Sequence, residues 1–182
     1  MSEHHERDEP HGPEVMFLPL AVSDAEGFRG FDPSTYARRL PDFLHQVLNE
    51  GHVGPTAMLE LQSTTEQGPV RWVQFDEPPD RDEAFELLPP GLEVRAVVTG
   101  ELAATDLGLR VEFHVYRSDD DAHVTAKVGG TLSFDDPVAG LLRLARHLAR
   151  LLEMSFVEPK QGLLTHNGEA FRLFLQGLDN AM

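Results

Sequence analysis

The fold is decided by residues 94–132, which read VRAVVTGELAATDLGLRVEFHVYRSDDDAHVTAKVGGTL. Three runs within this stretch alternate apolar and polar side chains with a period of two, which is typical of strands with one buried face. The apolar positions are Val94, Ala96, Val98, Gly100 and Leu102, then Leu109, Val111, Phe113 and Val115, then Val124, Ala126, Val128 and Leu132. Turn-forming residues separate the runs at 105–108 and 118–121. The stretch therefore predicts a three-strand antiparallel meander.

The turns also predict the register of the meander. A first turn that pairs Thr105 with Gly108 sets Gly100 opposite Phe113, where the glycine leaves room for the ring. A second turn is predicted to pair Ser118 with Asp121, and the facing residues are then Phe113 and Ala126, Val111 and Val128, and Glu112 and Lys127. Apolar side chains meet apolar ones in this register, and a slip of one residue would turn them to the wrong face.

Further strands and helices flank the meander. Strands are predicted at 15–20, at 56–62 and, around Trp72, within 70–75, with helices near 33–50, 82–88, 137–152 and 167–178. Asp32 is placed to cap the first helix, Gly51 to end it, and Pro41 either kinks it or begins its continuous part. The predicted fold class is α/β (α+β), a single mixed sheet of about five strands that includes the meander, with helices packed on it.

Composition limits the classes of function. The 182 residues include 15 Lys and Arg against 31 Asp and Glu, a formal net charge of −16, and Cys is absent. An acidic surface repels phosphate backbones and anionic lipid, so neither nucleic acid nor a membrane is expected as a partner. Absence of Cys excludes disulfides and thiol catalysis. No secretory signal or bilayer-spanning run is visible, so the protein is expected to be cytoplasmic.

No enzyme, cofactor or metal site is predicted. The nucleophile elbow, the phosphate-binding loop, the dinucleotide glycine motif and the zinc-protease motif are all absent from the sequence. His4, His5 and His11 lie in a polar segment that offers no means of holding metal ligands in place. The acidic stretch 76–86 and the run from Asp119 to Asp121 lack the spacing of a calcium loop, and both are interpreted as solvated loops.

Two features predict a surface for another protein or for a second copy of the chain. Arg143, Arg146 and Arg150 share one face of their helix, opposite its apolar stripe. They either dock an acidic partner or pair with carboxylates of this chain. The last helix is apolar on more than one face through Ala170, Phe171, Leu173, Phe174 and Leu175. It either contacts a partner through Phe171, Phe174 and Leu175 or packs wholly in the core.

An alternative site lies on the polar face of the meander. His114, Tyr116 and His123 share this face, and in the predicted register Tyr116 lies opposite His123. The face either binds a small molecule or a cation, is solvated, or is covered by a helix.

The ordered motifs resemble the TolB amino-terminal-like domain that precedes tetratricopeptide repeats in bacterial proteins. The resemblance rests on Phe17-Leu18-Pro19-Leu20, Arg39-Leu40-Pro41-Asp42, Ala96-Val97-Val98-Thr99-Gly100 with Leu109-Arg110-Val111, and the linker-like segment 167–177. Thr99 stands where that family commonly has an acidic residue. The resemblance implies a mixed sheet with packed helices and no catalytic residue.

The domain organisation follows from these patterns. Residues 1–14 are expected to form a disordered acidic tail, 15–160 the α/β domain, and 161–182 a C-terminal helix that resembles the linker into the repeats. The expected function is a non-enzymatic interaction or adaptor domain in a bacterial cytoplasmic assembly or regulatory complex. The alternative is a small-molecule or cation sensor.

Overall fold

The computed structural model describes residues 12–23, 28, 32–50, 56–63, 71–120, 126–159 and 165–180. Its strands are β1 (Val15–Phe17), β2 (Ala21–Ser23), β3 (Thr56–Met58), β4 (Gln62–Ser63), β5 (Arg71–Trp72), β6 (Ala96–Thr105), β7 (Gly108–Arg117) and β8 (Ala126–Ser133). Its helices are α1 (Pro33–Glu50), α2 (Arg81–Glu86), α3 (Pro137–Leu151) and α4 (Gly168–Asn180).

The main sheet is mixed and runs in the order β3-β1-β6-β7-β8. β1 is parallel to both β3 and β6, and β2 continues beside β6 after the interruption at residues 18–20. β6, β7 and β8 form the antiparallel meander. β4 and β5 form a separate two-stranded sheet. The predicted α/β class, with a mixed sheet of about five strands and helices packed on it, is confirmed.

The register of the meander is confirmed at the first turn and wrong at the second. Thr105 pairs with Gly108, and Gly100 lies opposite Phe113, as predicted. In the second hairpin Phe113 lies opposite Val128 rather than Ala126, and Glu112 lies opposite Gly129 rather than Lys127. The error is two residues, which keeps every side chain on its predicted face. Hydrophobic alternation therefore could not detect it.

Gly100 is required where β6 passes β7. A Cβ atom at this position would lie 2.0 Å from the carbonyl oxygen of Glu112 and 2.9 Å from the Cα atom of Phe113. The contacted atoms are backbone and cannot move aside without disturbing the strand pair. The glycine thus permits the close approach of β6 to β7 in front of the Phe113 ring.

Side chains at the helix starts satisfy the first free N–H groups of the helices. The Asp32 carboxylate accepts from the N–H of Ser34 at 2.9 Å, and Asp136 accepts from the N–H of Ala139 at 3.2 Å. Asp80 begins α2 with a reciprocal capping box that includes Glu83. α1 runs through Pro41 without ending there, and Gly51 lies outside the described residues.

The sheet has a helix layer on each face. One face packs against α1, α3 and α4 to form the main core. The other face carries a smaller core under α2, made of Met16, Leu18, Ala84, Val94, Val97 and Tyr116. The two faces therefore differ in how far they are covered, and this difference positions the sites below.

Candidate functional site

α4 presents apolar side chains on two faces, and only one face is buried. Phe171 and Leu175 are 2% and 0% exposed and belong to the main core. Leu173 and Phe174 are 55% and 47% exposed. The prediction that Phe171 and Leu175 contact a partner is therefore corrected, because they seal α4 onto this chain. Phe174 keeps the exposed position that the prediction requires.

The exposed side chains of α4 form a continuous outer stripe. It consists of Ala170, Leu173, Phe174 and Gly177, which follow the i, i+3, i+4, i+7 spacing of one helix face and are all exposed. A Cβ atom added at Gly177 would meet nothing within 4 Å. On the neighbouring positions Arg172 and Glu169 form an ion pair. The outer stripe is thus an apolar surface that the described part of the chain leaves open.

The arginine strip of α3, made of Arg143, Arg146 and Arg150, has one arginine that pairs with a carboxylate of this chain and two that are exposed. Arg146 pairs with Glu158 through Nη2 at 2.9 Å and lies over the Phe156 ring at 5.9 Å, so its charge is used within the chain. Arg143 and Arg150 are exposed. Pairing within the chain is therefore observed at Arg146, and docking of an acidic partner by Arg143 or Arg150 stays a prediction.

A groove separates the C-terminal half of α3 from the outer edge of β8. Its volume is about 340 Å³, and it is lined by Lys127, Val128, Gly129, His147, Arg150 and Leu151. The sequence did not join these residues, because β8 and α3 become neighbours only in the folded chain. The nearest sequence signal was the position of Arg150 on the arginine strip.

Further arginines hold the end of α3 against the sheet. Arg117 donates through Nη2 to the carbonyl oxygen of Leu151 at 2.8 Å and pairs with Glu153 at 3.0 Å. Arg95 donates to the carbonyl oxygen of Leu152. Cations at a helix C-terminus complement the helix dipole and satisfy its last carbonyl groups. These contacts fix the geometry of the groove at one end.

The polar face of the meander holds a connected trio of polar side chains. Lys127 Nζ donates to Glu112 Oε1 at 2.6 Å, and the His114 Nε2 atom lies 3.0 Å from the same oxygen. The carboxylate oxygen only accepts, so this histidine nitrogen donates. The pKa of Glu112 is lowered, first by the hydrogen bond from Lys127 and then by that from His114. One carboxylate oxygen of Glu112 therefore holds both Lys127 and His114.

Tyr116 is buried beneath the segment that carries α2. Its hydroxyl donates to the carbonyl oxygen of Pro79 at 2.9 Å, and burial raises its pKa. The Tyr116 and His114 rings meet edge to face with centroids 6.5 Å apart. The third predicted member of this site, His123, lies outside the described residues. Of the open alternatives for this face, partial cover by a helix is the one observed at Tyr116.

A buried arginine that sequence reasoning missed lies beyond the carboxyl ends of β1 and β3. Arg39 is 4% exposed, and its Nη1 atom lies 3.6 Å from Asp42 and 3.5 Å from Glu60. Burial acts to raise the pKa of Asp42, but hydrogen bonds from His45 and Gln46 and the charges of His45 and Arg39 lower it overall. Beside it, Arg38 lies over the Trp72 ring at 5.4 Å. This cluster ties α1 to the chain after β3.

Within the described ranges, no three or more His, Asp or Glu side chains are arranged to hold a metal ion. His4, His5 and His11 lie outside those ranges. In the acidic stretch 76–86, Asp80 and Glu83 cap α2 and Asp82 pairs with Arg81 at 3.2 Å. Among described helices, none has the length and apolar character needed to cross a bilayer.

The chain resembles solved structures at low sequence identity. No protein-family model and no curated protein matches the sequence. Among solved structures, TolB from Acinetobacter baumannii matches 78% of this chain at 12% identity and a TM-score of 0.39. A dodecameric PelC variant from Paraburkholderia phytofirmans matches 78% of this chain at 14% identity, also with a TM-score of 0.39. The chain spans 27% of the TolB chain and 87% of the PelC chain.

Proposed function

We propose that this chain is a non-enzymatic protein-interaction domain, an adaptor in a bacterial cytoplasmic assembly or regulatory complex. Its partner packs on the outer stripe of α4. The observation that carries the proposal is the exposure of Leu173 and Phe174, at 55% and 47%, on a helix whose opposite face lies in the core. Adjacent exposed large apolar side chains on an otherwise acidic protein are typical of an interaction surface.

The energetic argument supports the same surface. Full burial of a Leu or Phe side chain stabilises by about 1.5–3 kcal/mol, so covering the open halves of both contributes roughly 2 kcal/mol. The helix needs no reordering to accept a partner, because Phe171 and Leu175 already hold it on the domain. A pre-organised apolar surface lowers the entropic cost of association.

The family assignment is also a proposal. The motifs at 17–20, 39–42, 96–100 and 167–177 support a TolB amino-terminal-like domain, a class whose role the resemblance implies to be assembly rather than catalysis. The alternative role of the meander face as a sensor stays a prediction. Glu112 bonds to Lys127 and His114 through one oxygen and the Tyr116 hydroxyl bonds to Pro79, and no described contact favours a ligand there.

The test replaces the two central side chains of the outer stripe by serine, as Leu173→Ser together with Phe174→Ser. The matched control is Leu107→Ser, which removes an 81% exposed leucine from the β6–β7 turn. Light scattering over a concentration series reports self-association, and native mass measurement of the protein purified from its own cell reports a stoichiometric partner.

The double variant is expected to lose the association that the wild type and Leu107→Ser retain, with unchanged thermal unfolding. A wild type that stays monomeric throughout and copurifies with no stoichiometric partner contradicts the proposal. So does a double variant that associates as the wild type does.

A further inference from the structure

We propose that the outer edge of β8, together with the C-terminal half of α3, binds an extended acidic peptide segment of another protein by strand addition. The inference rests on the interaction role proposed above and names the chemistry of a partner. It uses a surface separate from α4, so that its test and the test of the outer stripe fail independently.

β8 is an edge strand, at the end of the strand order of the described sheet. It pairs with β7 along its whole length, from Val115 opposite Ala126 to Gly108 opposite Ser133, and no other described strand pairs with it. An edge strand exposes a row of N–H and C=O groups that can pair with another chain. Proline, bulges and lysine commonly block such edges. β8 has no proline and an uninterrupted register, and the ammonium of its single lysine, Lys127, pairs with Glu112.

β8 contains two consecutive glycines, of which Gly129 is exposed and lines the groove and Gly130 is half-buried beside Leu144. Neither Gly129 nor Gly130 has a positive φ. A Cβ atom at Gly129 would come no closer than 3.4 Å to the carbonyl oxygen of Val111, and one at Gly130 no closer than 3.4 Å to the Leu144 side chain. The fold itself therefore does not demand glycine here, unlike at Gly100. Glycine inside a regular strand often marks the close approach of a ligand or another backbone.

The groove beside this edge carries positive charge, and this charge favours an acidic segment as its occupant. Arg150 is exposed and makes no ion pair with any described residue. His147 is exposed one helical turn before Arg150 and also lines the groove. Lys127 lies at the start of β8, and its ammonium group forms an ion pair with Glu112. The chain as a whole has a formal charge of −16. An acidic segment is thus repelled by most of the surface and attracted at this groove.

Charge also argues against a second copy of this chain as the occupant. Pairing of two β8 edges about a two-fold axis presents the same residues to each other. β8 itself carries no Asp or Glu, so a second β8 edge would bring no carboxylate to the exposed Arg150. A carboxylate-bearing extended segment meets the backbone and the charge requirements together.

The test uses the full chain and a synthetic probe. The probe is a fluorescein-labelled peptide of alternating Glu and Val, and its control has Lys in place of every Glu. Fluorescence anisotropy measures the affinity at low and at high salt. The charge-reversal variant is Arg150→Glu, and the matched control is Arg143→Glu, on the same helix and exposed but outside the groove. Amide hydrogen exchange then reports which backbone groups the probe protects.

Strand addition predicts saturable binding of the acidic probe, no binding of the basic one, and a loss of affinity of about tenfold for Arg150→Glu with less than about twofold for Arg143→Glu. Exchange of amides within 126–133 slows in the complex. The proposal is overturned by an acidic probe that does not bind, by equal losses in both variants, or by binding without protection of β8. It is equally overturned if the probe binds only after removal of residues 1–11, since the edge then belongs to this chain's own segment.

Discussion

The Phe171 ring of α4 meets the Phe43 ring of α1 edge to face, with centroids 5.5 Å apart and ring planes at 88°. Both side chains are nearly fully buried. This contact decides which face of α4 turns inward, and so which apolar side chains remain for a partner. Phe174, whose ring centroid lies 6.4 Å from that of Phe171, is left on the outer side of the helix.

Truncation of Phe171 is expected to destabilise the domain strongly. Phe171→Ala leaves a cavity against Phe43, and large-to-small changes of this kind lower the free energy of unfolding by about 3–5 kcal/mol. Phe174 lies on the same helix and is 47% exposed. Phe174→Ala is therefore expected to lower the free energy of unfolding by less than about 1 kcal/mol. Urea unfolding of the two variants checks the contrast. Similar losses for both would show that α4 is not seated as described.

Two glycines are expected to respond in opposite ways to alanine. Gly100→Ala places a Cβ atom 2.0 Å from a backbone carbonyl oxygen, so the hairpin must deform and stability falls by several kcal/mol. Gly177→Ala adds a methyl group where nothing lies within 4 Å, on a helix. It is expected to raise the free energy of unfolding by about 0.5–1 kcal/mol. Thermal unfolding at one pH measures both, and a tolerated Gly100→Ala would refute the close approach of β6 and β7.

The trio of Lys127, Glu112 and His114 predicts a dependence of stability on acid. The pKa of Glu112 is lower in the folded chain than its ordinary value of 4.5, mainly through the bond from Lys127. Its stabilising contribution is therefore complete above pH 4.5 and is lost as the pH falls through the lower, folded value.

Glu112→Gln is expected to melt at a lower temperature than the wild type near neutral pH. This difference in melting temperature should become smaller as the pH falls. In a Lys127→Met background, Glu112→Gln is expected to lower the melting temperature less, because the principal hydrogen-bond donor to Glu112 is absent. Melting temperatures measured from neutral pH down to about pH 3 follow this change. If the difference in melting temperature between the wild type and Glu112→Gln stays constant over that range, the Glu112 carboxylate is not stabilised as an anion in the folded protein.

The two tyrosines of the chain are expected to ionise at a higher pH in the folded protein than in the unfolded chain. Burial raises the pKa of Tyr36 to about 12 and also raises that of Tyr116 above its ordinary value of 10.0. An ultraviolet titration of the folded protein should show little tyrosinate at pH 10, whereas the protein in denaturant should be half ionised there.

The same shift means that stability falls as the pH rises above 10, where the unfolded tyrosines release protons and the folded ones retain them. Replacement of Tyr36 by Phe removes part of this alkaline loss. Ionisation of both rings near pH 10 in the folded protein would contradict the burial of Tyr36 and Tyr116.

Much of the fold was predictable because its signals are local. The alternation placed the side chains of β6, β7 and β8 on the correct faces, although Val94, which precedes β6, packs in the smaller core instead of the predicted one. Asp32 correctly marked the start of α1. The second hairpin was misregistered because a shift of two residues leaves the alternation intact. The hydrophobic pattern therefore does not set that register.

The candidate sites were predictable only in part. Phe171 and Phe174 both read as apolar positions of one helix, and sequence alone offered no reason to assign one to the core and the other to the surface. Arg146 and Arg150 likewise share one helix face, yet among the described residues Glu158 pairs with Arg146 and no carboxylate pairs with Arg150. Pairwise partners of this kind arise from segments far apart in the chain.

The sequence by itself determined the α/β class, the faces of the meander and the start of each major helix. Periodicity and capping act over a few residues and need no knowledge of the rest of the chain. Only the tertiary structure decided which side of α4 is open, that Arg39 is buried with Asp42 and Glu60, and that β8 and α3 enclose a cationic groove. These outcomes depend on which distant segments compete for the same core surface and on which charges come to lie side by side when that core is closed.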